Sequence, residues 1–84
     1  MIEKQEIRNR ISKLRDAIAY SRHEQKIMSL GEGILCNYEI ACWFRVLDGE
    51  VRDPKYTIPR SIENKVTQIN KQIQVEVWQR SKEL

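Results

Sequence analysis

Three apolar patterns divide the chain. In the first, Ile7, Ile11, Leu14 and Ile18 recur at the spacing of one helical face. That seam continues as Ser21, Gln25 and Met28, so it turns polar in its second half. Glu3 and Glu6 suit a helix start, where the backbone dipole favours negative charge. No Gly or Pro interrupts before Gly31. The spacing predicts one long helix over residues 2–28.

The second pattern, Ile34 to Leu47, is nearly continuous: only Asn37, Glu39 and Arg45 are polar. It holds both cysteines, the single Phe and one of the two Trp. A segment this apolar needs cover on nearly every side, and its amphipathic neighbours are the natural covers. Its even positions from Ile34 through Val46 are all apolar, which also fits a strand. Asp48-Gly49 would then make a hairpin turn. Against the strand, Pro54 would interrupt the returning partner. Leu35, Glu39, Ala41 and Leu47 suit a helix, and Gly49 fits the position after a helix end. A helix over about 33–48 is the favoured reading. The alternative is a helix–hairpin–helix with strands near 34–47 and 50–58.

In the third pattern Ile62, Val66, Ile69, Ile73 and Val77 form a seam, opposite a face of Glu, Asn, Lys, Gln and Arg. This predicts a helix over about 59–82 after a loop at 49–58. Pro59 fits its first turn, and Thr57 or Ser61 are candidate caps. Ser29-Leu30-Gly31-Glu32-Gly33 reads as the break after the first helix. The expected fold is all-α: one domain, residues 1–84, a three-helix up-down-up bundle with a long first helix.

At 84 residues such a domain is marginal alone, so a protein partner or a second copy is expected. The net charge of +3 permits an anionic ligand without requiring one. Cys36 and Cys42 lie about 240° apart on a helix and cannot bridge one another. They read as a pair of buried reduced thiols. With His23 as the single histidine, neither a metal site nor a cofactor is expected. The chain opens with charge, and Arg45 and Asp48 interrupt its longest apolar run. These features predict no membrane partner and a cytoplasmic location.

No nucleophile elbow, carboxylate pair or Cys–His pair occurs at a useful spacing, so no catalytic residue is assigned and an enzyme is not expected. Three features remain. Lys4, Arg8, Arg15, Arg22 and Lys26 form a basic edge on the shoulder of the first seam. Arg52, Lys55, Tyr56 and Arg60 run into a helix start, where amide groups and cations attract anions. Tyr20, Ile27 and Leu30, with Val75 and Trp78, fall off the main seams and read as a contact surface. The expected function is a non-enzymatic interaction protein, oligomeric, that regulates or inhibits a protein partner. The alternative is a binder of a nucleotide or nucleic acid through the basic edge and the loop. In size and plainness the chain resembles the accessory proteins that phages carry to interfere with host machinery, though no motif carries that resemblance.

Overall fold

The computed structural model describes residues 3–25, 27–52 and 56–83, except the side chains of 24, 25, 82 and 83. It is an all-helical bundle: α1 (Lys4–Tyr20), α2 (Leu30–Leu47) and α3 (Arg60–Glu83). A π-type turn, Ser21–Gln25, prolongs α1. There is no strand among the described residues, so the hairpin alternative falls. At 24 residues α3 is the longest helix.

The core is built from Ile7, Ile11, Leu14 and Ala17 of α1, Cys36 and Ile40 of α2, and Ile62, Val66 and Ile69 of α3. Tyr20, Met28 and Ile58 complete it. Ala17, rather than the predicted Ile18, carries the fully buried position on the last turn of α1. Ile18 is half-buried at the edge.

The apolar second pattern is not the centre of the bundle. Both α2 and α3 pack on α1, and they touch one another little. One face of α2 therefore stays open, where the sequence predicts cover. Leu30 is 76% exposed, Ile34 46%, Tyr38 60% and Phe44 42%.

The break after the first helix also falls earlier than predicted. Ser21 is buried, and its Oγ accepts from the Met28 amide at 2.8 Å and lies 3.2 Å from the Met28 carbonyl oxygen, to which it donates. This closes the turn between the π-type segment and α2. Gly31 and Gly33 then lie inside α2 rather than beyond a helix end. Ser29 is the N-cap: its Oγ accepts from the Glu32 amide, and the Glu32 carboxylate accepts from the Ser29 amide. That reciprocal box satisfies two otherwise orphaned donors, which outweighs the glycines' weak helix preference. The far end of α2 closes where Gly49 adopts φ +80°. The Glu50 amide bonds the Arg45 carbonyl at 2.9 Å, and the Gly49 amide bonds that of Val46 at 3.1 Å. This is the six-to-one and five-to-two pattern of a glycine-terminated helix. The Pro59 carbonyl takes the first amide bonds of α3, from Ile62 and Glu63.

Candidate functional site

Charge fixes how α2 lies on α1. Arg10 of α1 and Glu39 of α2 both point inward. The Glu39 carboxylate is 2% exposed and accepts from Arg10 Nε at 2.8 Å and Nη2 at 3.3 Å. It also accepts from Trp43 Nε1 at 2.9 Å and from the Ile58 amide at 3.2 Å. Arg10 reaches on to Glu63 of α3, with Nη1 to Oε2 at 2.8 Å. A further ion pair, Glu32 with Lys65 at 2.8 Å, links α2 to α3. Asn70 donates to the Lys13 carbonyl at 3.1 Å and ties α3 to α1. No buried side-chain polar atom lacks a partner among the described residues.

Burial pushes the Glu39 carboxyl toward the neutral form, but the bonds from Arg10 and Trp43 outweigh it and hold its pKa below the ordinary value. The bond to Glu63, opposed by burial and aided by Glu39, raises the Arg10 pKa further. Burial, helped by the negative field of Glu39, pushes the Cys36 thiol up to about 11. Both cysteines are free. Within the clasp, both oxygens of the Glu39 carboxylate accept hydrogen bonds.

The open side of the α1–α2 seam is different. Two depressions lie along it. One, of about 430 Å³, lies among Ile18, Arg22, Leu30, Gly33, Ile34 and Asn37. The other, of about 350 Å³, lies among Arg8, Ile11, Arg15, Asp16, Phe44 and Leu47. Arg15 lines the second, its guanidinium 6.0 Å from the centre of the Phe44 ring, within the range of cation–π attraction. The result is a groove. Ile11 and Ile18 lie toward its floor, the apolar face of α2 forms one wall, and three arginines form the other.

The predicted site residues thus separate. Arg8, Arg15 and Arg22 share the groove edge, and Leu30 belongs to its apolar wall. Lys26 and Lys55 lie outside the described residues. Arg52 and Arg60 are exposed at the loop and at the start of α3. The Tyr56 ring meets Tyr38 edge-on, with centroids 6.4 Å apart, so it is not an open stacking platform. Tyr20 corrects the sequence reading. It is buried, and its hydroxyl donates to Glu76 Oε1 at 2.8 Å, because the outer part of α3 covers it. Ile27 is half-buried against the core. Val75 and Trp78 are exposed on the last turns of α3, as is Val77, which lies on the predicted seam. Sequence reasoning missed Ile34, Tyr38 and Phe44 as surface residues. It counted them as interior because they lie in the most apolar stretch.

No group of three or more metal-ligating side chains occurs among the described residues. No helix there is long and apolar enough to cross a membrane. Comparison with family models, curated proteins and solved structures finds no match.

Proposed function

We propose that this chain is a non-enzymatic protein-binding module, and that the open α1–α2 groove is where it holds and regulates a partner protein. The observation that carries the reading is the uncovered wall of α2: Leu30, Ile34 and Phe44 line the groove and stand in solvent on one helix of a small bundle. Contiguous exposed apolar surface of this kind marks interaction sites. Its length, from residue 30 to 44, is about 21 Å at the helical rise, which fits a docked helix of about four turns. The buried clasp supports the same reading, because it ties together the two helices that form the walls. A nucleic-acid ligand is less well served. Tyr56, the aromatic of the loop expected to meet an anion, already has its ring against Tyr38.

Selection of helical peptides against the chain tests this. Selected helices should lose at least tenfold in affinity on Ile34→Asp or Phe44→Asp. They should be indifferent to Thr67→Asp on the exposed face of α3. Binders insensitive to Ile34 and Phe44 would overturn the reading. So would a two-chain solution mass that Phe44→Asp reduces to one chain, since the face would then belong to a second copy.

A further inference from the structure

Gly33 has no task of its own in the isolated fold. Among the described glycines, the left-handed conformation that favours this residue occurs at Gly49 alone. Gly33 lies in the first turns of α2, where glycine is less favourable than alanine. A Cβ placed on it meets no atom within 4 Å outside its own neighbourhood. Packing therefore does not demand a glycine. Its missing side chain instead deepens the 430 Å³ depression beside Ile18, Leu30 and Ile34. A helical glycine that faces open space lets another chain approach closely.

The rim of that depression is not neutral. Arg22 lines it, and Arg15 and Arg8 follow along the same edge of α1. Asp16 is the one carboxylate among the residues lining the two depressions. Glu32, which precedes Gly33 on α2, is taken up by Lys65. A second copy presenting this face would set arginine against arginine, a juxtaposition that like charge disfavours. An acidic partner would meet forked guanidinium donors suited to carboxylates.

We propose that the groove receives an acidic amphipathic helix of another protein. One bulky apolar side chain of that helix seats over Gly33, and a carboxylate about one turn away is held by Arg22. The proposal rests on reading the α1–α2 groove as the docking surface and adds the partner's chemistry to it.

Two synthetic helices test it, alike in their Leu and Phe positions and flanked either by Glu or by Lys. Fluorescence anisotropy should show the Glu peptide binding at least tenfold tighter at low salt, with the preference shrinking as salt rises. Gly33→Leu should weaken the Glu peptide at least tenfold by filling the seat. Gly33→Ala, which adds one methyl group and favours the helix, should weaken it less and confirm that the fold is intact. Arg22→Glu should move the preference toward the Lys peptide. Equal binding of both peptides that depends on Ile34 but not on Gly33 or Arg22 would overturn this proposal and leave the docking surface standing. Failure of both peptides to bind below about 1 mM, a free energy near 4 kcal/mol, would overturn both.

Discussion

Arg10 and Glu39 lie 29 positions apart and meet through two hydrogen bonds in the interior, the shorter 2.8 Å. The pair is not self-contained, since Glu39 also receives the Trp43 indole and the Ile58 amide. Truncation of Glu39 therefore strands three donors at once. Glu39→Ala should destabilise the chain by about 3–5 kcal/mol, the cost of breaking a buried pair. That is a large share of the roughly 4–12 kcal/mol usual for this length. Urea unfolding followed by circular dichroism measures it, and a loss below about 1 kcal/mol would mean that the clasp is not structural.

Acid should weaken the fold through the same group. Burial raises the Glu39 carboxyl pKa, but the bonds from Arg10 and Trp43 outweigh it and leave it depressed. The bond from Lys65, followed by that from the Ser29 amide, depresses the carboxyl of Glu32. Both folded values lie below the ordinary 4.5. Their stabilisation is thus fully present above that value and is lost as pH falls through the folded values. Urea midpoints should decline from about pH 5 downward. Glu32→Gln should flatten part of that decline, and an unchanged acid slope in this variant would refute its share.

Gly49 is the one described residue whose backbone demands glycine, with φ at +80°. Gly49→Ala should cost about 1–2 kcal/mol, because a Cβ strains the left-handed conformation. Gly33→Ala should stabilise by up to about 1 kcal/mol. Thermal unfolding of the two variants side by side checks the opposite signs.

Substitutions within apolar segments should divide by face rather than by hydrophobicity. Ile69 is fully buried, so Ile69→Ala should cost about 2–5 kcal/mol. Leu30→Lys, at a site 76% exposed, should change stability by no more than about 0.5 kcal/mol. A large loss for Leu30→Lys, read by urea unfolding, would show that this face is covered in solution.

The two thiols should differ in reactivity. Cys36 is wholly buried, and its pKa is raised to about 11, so little thiolate forms near neutrality. Cys42 is half-buried. An aromatic disulfide reagent should modify one thiol per chain under native conditions and the second only in denaturant. Cys42→Ser should abolish the fast phase.

The helical class and the three segments were legible because the Ile7 and Ile62 seams are long and regular. The clasp was legible in part. Glu39 is the single acid in the second apolar stretch, and Arg10 falls within the arc that Ile7, Leu14 and Ala17 bury. Each is a charge where the pattern asks for none, but which charge met which depended on how α2 crosses α1. The start of α2 was also present, as Ser29 followed three residues later by Glu32. The flanking glycines masked it, since they signal a break more loudly than a cap signals a start. The open face of α2 was not legible. Hydrophobicity measures what a segment would bury, not whether a single chain contains enough other surface to bury it.

That α1 is the shared neighbour of α2 and α3 also orders events during synthesis. The strand of chain carrying α1 leaves the ribosome with its seam bare, and α2 can close onto it as a hairpin of nearby segments. Arg10 then holds Glu39 but waits for Glu63, 53 positions further on, to occupy its other donors. α3, made after α1 and α2, is thus the helix that completes the lock on α1. An α1–α2 hairpin formed in that interval would have two uncovered faces, one that α3 closes and one that stays open.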